Sequence, residues 1–115
     1  MKASEAMFEL AKLLENKYPD FKYKKSQKYL EKKTKKYSYL IAFFSFYWNT
    51  KENVALDVCF IANNRESASQ AFYKSLWKEW IYYNVSTNEL ILEVFENICK
   101  HIETDFLVEI EKLEK

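Results

Sequence analysis

The stretch that decides the fold is residues 37–62, YSYLIAFFSFYWNTKENVALDVCFIA, in which two apolar segments flank a polar connection. Successive side chains of a β-strand point to opposite sides of the sheet. Over residues 37–48 both sides are apolar or aromatic, which is typical of a central strand. Over residues 54–62 the alternation predicts a strand whose core-facing side is formed by Val54, Leu56, Val58, Phe60 and Ala62.

Upstream of this stretch, the sequence predicts one helix and a further strand. Residues 3–17 repeat apolar side chains at helical spacing, with Ser4 as a candidate cap and Pro19 as the stop signal. Residues 21–32 alternate aromatic residues with lysines and predict a strand with a solvated lysine side. The lysine-rich segment 32–36 then predicts a turn.

Downstream, the sequence predicts a short helix and a short fourth strand. Ser67 and Gln70 have the spacing of a capping box, in which side chains satisfy the free N–H groups at a helix start. We therefore expect a helix from this point to about Lys78. Residues 80–85 predict the fourth strand.

The C-terminal part predicts a second helix after the sheet. Ser86 and Glu89 repeat the capping-box spacing, and apolar residues recur at helical spacing from residue 87 onward, with a break near Thr104. Residues 1–115 therefore predict a single domain of the α+β class. We expect an antiparallel three- to four-stranded meander with an N-terminal helix and two C-terminal helices packed on it.

Composition excludes several kinds of site. The chain contains no glycine, and the phosphate-binding loops and the nucleophile elbow need the backbone freedom of glycine. The single histidine, His101, excludes a multi-histidine metal site, so we expect neither a metal nor a cofactor. Cys59 and Cys99 are expected to be free thiols in the cytoplasm, because no signal peptide is recognised. No apolar run approaches the roughly 18 residues that span a membrane, and no membrane contact is expected.

Charge is distributed unevenly along a chain whose formal net charge is only +1. Residues 17–36 hold nine lysines against two acids, whereas residues 89–115 hold eight acids against three lysines. Such asymmetry is a hint of an interaction surface. An alternative interpretation is that the two segments partly neutralise each other in the fold.

The basic and aromatic residues of the first half form a candidate binding face for a single-stranded nucleic acid or another partner. Lysines on a strand can follow a phosphate backbone, and exposed aromatic rings can stack on bases. An alternative interpretation is a solvated edge strand whose lysines prevent aggregation. The candidate residues are Lys22, Lys24, Lys28, Lys32, Lys35, Lys36, Tyr37, Tyr39, Phe43 and Tyr47.

Two further groups of residues carry side chains that are capable of acid–base chemistry. The acids Glu89, Glu93 and Glu96 lie on one side of the last helix, where they predict a solvated face rather than an acid–base pair. His101 precedes Asp105 by four positions, and such a pair would serve a thiol enzyme only if it met Cys59 or Cys99. We therefore predict no enzymatic activity and no catalytic residues.

The plan of the chain is similar to a family of uncharacterised bacterial domains, a domain of unknown function. The residues that carry this resemblance are Phe44–Asn49, Val54–Ile61 and Trp80–Asn88, although a glycine common after the family's third strand is missing here. Some members lie near toxin-system or mobile-element genes, so the resemblance implies an immunity-like or accessory interaction role in a bacterium or phage.

The sequence therefore favours a non-enzymatic protein-interaction module, and single-stranded nucleic-acid binding is the alternative. If the helices leave one face of the sheet uncovered, its aromatic residues would form a patch suited to a protein partner or a homodimer.

Overall fold

One antiparallel sheet and two helical regions make up the structure, a computed structural model that describes residues 3–45, 54–76 and 83–115. The strands and helices follow one another along the chain with short connections. Their bounds are α1 Ala3–Lys17, β1 Lys22–Lys24, β2 Tyr29–Lys33, β3 Tyr37–Ser45, β4 Ala55–Asn64, β5 Gln70–Ser75, β6 Tyr83–Asn84, α2 Asn88–His101, a π-helical turn Ile102–Phe106 and α3 Leu107–Glu114.

The sheet has the strand order β1-β2-β3-β4-β5, and every neighbouring pair is antiparallel. The two-residue strand β6 pairs with the start of β4. Strands β3 and β4 form the centre, where Ile41 lies opposite Phe60 and Phe43 lies opposite Val58. The predicted α+β class and antiparallel meander are confirmed, but the sheet has more strands than the three to four expected.

All the described helices pack on one face of the sheet, which we call the inner face. The core-facing residues predicted for β4 lie on it, and Leu56, Val58, Phe60 and Ala62 are fully buried. They join the buried residues of α1, α2 and the π-helical turn in one hydrophobic cluster. Phe106 lies at the centre of this cluster and stacks on Phe60, with ring centroids 4.8 Å apart.

Helix α1 has the predicted bounds. It ends at Lys17, two residues before Pro19, because proline disfavours the helical conformation of the residue that precedes it. Its buried side follows the apolar repeat and consists of Ala6, Met7, Leu10, Ala11 and Leu14. Ser4 lies inside the helix rather than at its cap.

The prediction of a helix after Ser67 is wrong, because this segment forms strand β5 and the turn before it. The side-chain oxygen of Asn64 accepts hydrogen bonds from the N–H groups of Glu66 and Ser67, which builds a turn instead of a helix start. Ala68 then adopts a positive φ of 59°. The apolar spacing of four residues over this segment suits a strand as well as a helix, and pairing with β4 decides the outcome. Only one of the two predicted C-terminal helical regions is therefore present.

The prediction of one continuous strand over residues 21–32 is also wrong. The carbonyl oxygen of Lys24 accepts hydrogen bonds from the N–H groups of Gln27 and Lys28, and Lys28 has a positive φ of 59°. The segment is therefore a hairpin of β1 and β2. The turn contains neither glycine nor proline, so the sequence carries no strong signal for it.

The last helical region begins one residue later than predicted. Thr87 is the N-cap and accepts a hydrogen bond from the N–H of Leu90, whereas Ser86 contacts Asn84 and the N–H of Val54. The predicted break near Thr104 is a π-helical turn within a continuous helical path. Of the strand predicted over residues 80–85, residues 80–82 lie outside the described part, and Tyr83 and Asn84 form β6.

Candidate binding surface

The opposite face of the sheet, which we call the outer face, presents large apolar side chains to solvent. Because side chains alternate along a strand, β3 directs Leu40 and Phe44 outward while their neighbours point into the core. Ile61 and Tyr73 flank them on β4 and β5. Phe44 is 49% exposed and Tyr73 is 53% exposed. None of the helices described over residues 3–45 and 83–115 packs on this face.

A polar network on the outer face fixes the position of the Tyr73 ring. The hydroxyl of Ser75 donates to both carboxylate oxygens of Asp57, at 3.0 and 2.9 Å. The Cys59 sulfur lies 3.5 Å from Asp57 and 3.4 Å from the Tyr73 hydroxyl. The network therefore holds an exposed aromatic ring by its polar end, which reduces the conformational freedom that the ring would lose on binding.

The same network does not supply an activated nucleophile. Burial raises the pKa of the Cys59 thiol, and the nearby Asp57 carboxylate adds to this effect. The hydrogen bond with Cys59 and burial together raise the pKa of Tyr73 to about 12. Both groups are therefore neutral at physiological pH, whereas a thiol nucleophile reacts as the thiolate.

The predicted lysines lie in three different environments. Lys22 and Lys24 point to the outer side of the edge strand β1, and Lys28 lies in the β1–β2 turn. Lys35 and Lys36 are exposed in the β2–β3 turn. Lys32 is on the inner side, where its ammonium group lies 3.9 Å from the Asp20 carboxylate. The structure therefore does not place these lysines along one face.

The predicted stacking residues do not form an exposed platform. Tyr39 is 0% exposed and Phe43 is 2% exposed, because both point into the core. Tyr37 is half-buried and stacks on Tyr39, with ring centroids 5.8 Å apart. Tyr47 lies outside the described residues. The prediction that Tyr39 and Phe43 offer rings to bases is therefore wrong, since the helices cover the side of β3 that carries them.

Tyr39 instead ties the end of the chain to the sheet. Its hydroxyl donates a hydrogen bond to the Glu114 carboxylate, which also accepts one from Thr34 at 2.9 Å. Burial and this carboxylate raise the pKa of Tyr39, and the same bonds lower the pKa of Glu114. Helix α3 is therefore fixed over the inner face.

His101 and Asp105 meet as predicted, but they form a structural cluster. The imidazole Nδ1 lies 3.1 Å from Asp105, and the Lys74 ammonium lies 2.7 Å from the same carboxylate oxygen. These two partners, Lys74 first, lower the pKa of Asp105. The carboxylate thus joins the π-helical turn to β5.

Neither cysteine is brought to this imidazole. Cys59 points to the outer face, so the sheet separates its thiol from the helix layer. Cys99 is buried beside Lys17 and Tyr18, and burial raises the pKa of its thiol.

Within the described residues no group of three or more potential ligands could hold a metal ion. No helix in the same part of the chain is long and apolar enough to cross a membrane.

The acidic face predicted for the last helix is solvated. Glu89, Glu93 and Glu96 are all exposed, as is Lys100. No ion pair joins Glu96 to Lys100, four residues further along the helix, among the described residues.

Sequence reasoning missed Phe8, an exposed aromatic residue on α1. It is 38% exposed and lies beside Tyr23 of β1, with ring centroids 6.4 Å apart. A signal for it was present, because Phe8 falls outside the apolar repeat that forms the buried side of α1. A large aromatic residue off the buried stripe of a helix is a candidate for binding.

No protein-family model, curated protein or solved structure matches this chain. The resemblance to uncharacterised bacterial domains therefore stays a prediction. Function has to be inferred from the geometry of the described surface.

Proposed function

We propose that this protein is a non-enzymatic binding module that pairs with another protein through the outer face of its sheet, and that this partner is a second copy of the chain. The observation that carries the proposal is the exposure of Phe44 and Tyr73 on one sheet face. Phe44 lies opposite Asp57 and Tyr73 lies opposite Ile61, so the two side chains share a face but are not neighbours on adjacent strands. Exposed apolar patches on one face mark protein contacts. Aromatic residues, Tyr above all, are enriched among the residues that dominate binding energy.

The size of the outer face suits a small dimer interface. Five strands at about 4.8 Å spacing give a width of about 20 Å, and the central strand is about 30 Å long. Allowing for the shorter edge strands, each copy offers about 500 Å², so that a pair would bury about 1,000 Å². That area is near the lower limit for a specific interface.

The charges on the outer face favour one arrangement of two copies. Lys22 and Lys24 lie at the β1 edge, with Glu31 and Lys33 beside them on β2. Asp57 and the Tyr73 ring lie on the β4–β5 side. A two-fold axis parallel to the strands would place the lysine edge of each copy over the Asp57 and Tyr73 side of the other. That arrangement pairs cations with a carboxylate and an aromatic ring. An axis across the strands would place lysines over lysines.

The test is the mass of the protein in solution, measured by light scattering coupled to gel filtration. At about 100 µM, well above the dissociation constant of a typical small interface, we expect twice the 13.9 kDa of one chain. Phe44→Lys places a charge in the middle of the contact and should give the monomer mass. Leu92→Lys is the matched control, because Leu92 is 52% exposed on α2, away from the sheet.

Two results would overturn this proposal. A wild-type protein that stays monomeric at this concentration has no such partner copy. A Phe44→Lys variant that keeps the dimer mass, with a circular dichroism spectrum like that of the wild type, would place the interface elsewhere.

A further inference from the structure

A second surface of the molecule combines aromatic rings with lysines. It is a cleft of about 350 Å³ between α1 and the β1–β2 hairpin. Its lining residues are Phe8, Lys12, Glu15, Asn16, Tyr23 and Lys25. Phe8 and Lys12 come together in the cleft because residues four apart lie on the same side of a helix.

The two lysines of the cleft surround the exposed ring. The ammonium nitrogen of Lys12 lies 5.3 Å from the centroid of the Phe8 ring, and that of Lys25 lies 5.8 Å from it. Glu15, the carboxylate of the cleft, accepts a hydrogen bond from the N–H of Tyr23 at 2.8 Å. The cleft lining therefore combines two lysines, one carboxylate and an aromatic ring, a formal net charge of +1.

The hairpin extends the positive charge beyond the cleft. Lys22, Lys24 and Lys28 are exposed on β1 and in the turn. Within the described part of the chain, none of these lysines, nor Lys12 or Lys25, forms an ion pair with a carboxylate. Lys32, Lys33 and Lys74, by contrast, do form ion pairs. Lys12 and Lys25 therefore belong to a larger set of exposed lysines without ion pairs in the described residues, and they differ from the others in lying beside an exposed aromatic ring.

We propose that this cleft binds single-stranded nucleic acid, with a base stacked on Phe8 and phosphates held by Lys12 and Lys25. A positively charged groove combined with an exposed aromatic ring is how proteins bind single strands without reading their sequence. When a base takes the face of the ring, the two ammonium groups are free to move to the adjacent phosphates. A phenyl ring carries no hydrogen-bonding group, so the site tolerates any base.

Phe8, Lys12 and Lys25 are not part of the outer face, whereas Lys22 and Lys24 point to it. The cleft also differs from the aromatic platform predicted on β3. An acidic peptide would use the same lysines but would gain little from the ring. The contribution of Phe8 therefore distinguishes nucleic acid from an acidic protein segment.

The test is fluorescence anisotropy with a labelled oligothymidylate and a labelled oligouridylate, each of about 12 nucleotides, within the usual site size of small single-strand binders. We expect a dissociation constant of about 10 µM at low salt, in the range of non-specific binding. With about three phosphates contacted, a plot of log affinity against log salt should have a slope of about −2.

Two sets of variants assign the binding to the cleft. Phe8→Ala should weaken binding about 10-fold, as expected for the loss of one base–ring stack, while Phe8→Tyr should keep it. The double variant Lys12→Ala with Lys25→Ala should flatten the salt slope by about 1.4, or 0.7 for each lost phosphate contact. The matched control is Lys100→Ala with Lys112→Ala, two exposed lysines of the C-terminal helices.

Three results would overturn the proposal. The first is no binding of either oligonucleotide at low salt. The second is unchanged binding by Phe8→Ala, or by Phe8→Leu if the alanine variant fails to fold, since leucine keeps apolar volume without an aromatic face. The third is equal binding of polyglutamate, which would identify a site for acidic protein segments instead.

Discussion

The two sides of strand β3 are similarly apolar but differ in their exposure to solvent. On β3 the inner face holds Tyr39, Ile41 and Phe43, which are at most 2% exposed, whereas the outer face holds Leu40 and Phe44, the latter 49% exposed. Residues on the inner face contribute to stability, because the helices remove them from water. Phe44, which is about half exposed on the outer face, contributes less to folding and remains available for a partner. The position of the helices, rather than the hydrophobicity of the residues, separates the two roles.

The strongest test of this difference is to introduce a lysine on each side of β3 in turn. Ile41→Lys buries an ammonium group without a partner and should cost more than about 4 kcal/mol of unfolding free energy, or abolish folding. Leu40→Lys, one residue earlier, starts from a half-buried position on the outer side and should cost about 1–2 kcal/mol. Urea denaturation followed by circular dichroism measures both. Equal losses would contradict the assignment of the two faces.

A second test compares the loss of an aromatic ring from the core on the inner side of the sheet with the loss of one from the outer face. Phe106 is fully buried and contacts the rings of Phe60, Phe72, Tyr39 and Phe21. Phe106→Ala should therefore cost about 3–5 kcal/mol. In the same urea experiment, Phe44→Ala should stay within about 1 kcal/mol of the wild type. A small effect at Phe106 would mean that the π-helical turn does not anchor the core.

The elements that could be predicted are those whose apolar residues match only one repeat, either that of a helix or that of a strand. Helix α1 was predictable because Pro19 limits it, and β4 because only one of its sides is continuously apolar. Strand β5 was mistaken for a helix because Ala68, Phe72 and Leu76 are four apart, a spacing that suits both periods. The turn at Lys28 was not predicted, because a lysine occupies its positive-φ position. Glycine usually occupies such positions and so reveals a turn in the sequence.

The binding surface could be predicted only in part. The sequence indicates that β3 has two apolar sides, but which side stays open depends on where α1 and α2 pack, and that is a tertiary property. The aromatic residues chosen as candidates, Tyr39 and Phe43, consequently belong to the covered side. The exposed lysines Lys22, Lys24 and Lys28 were among the candidates, whereas Lys12 and Lys25, which lie next to an exposed ring, were not.

A smaller effect tests the link between the inner face and the π-helical turn. Asp105→Asn removes the charge that holds Lys74 and His101 and should cost about 1 kcal/mol at about pH 7, because the pair is partly exposed. The folded pKa of Asp105 lies below its ordinary value of 3.8. The contribution of the Asp105 carboxylate to stability is therefore present above the ordinary pKa, and it is lost as the pH falls through the pKa of the folded protein.

Urea denaturation of the wild type and the asparagine variant over a range of pH measures this dependence. The difference between the two proteins should be present at pH values above the ordinary carboxyl pKa of 3.8 and should shrink as the pH falls through the lowered pKa of Asp105. A difference that does not depend on pH would show that the carboxylate acts through its shape rather than its charge.

The smallest expected effect concerns the turn that sets the register of β5 and thereby the side on which Tyr73 lies. Ala68 has a φ of 59°, a conformation that costs a residue with a β-carbon about 1–2 kcal/mol. Ala68→Gly relieves this strain but gives the unfolded chain more freedom, worth about 0.5–1 kcal/mol. The balance is a gain of about 0.5 kcal/mol in unfolding free energy. Glu66→Gly, two residues earlier in the same turn, has no such strain to relieve and should lose stability. A loss in both variants would contradict the positive φ at Ala68, and with it the register that turns Tyr73 outward.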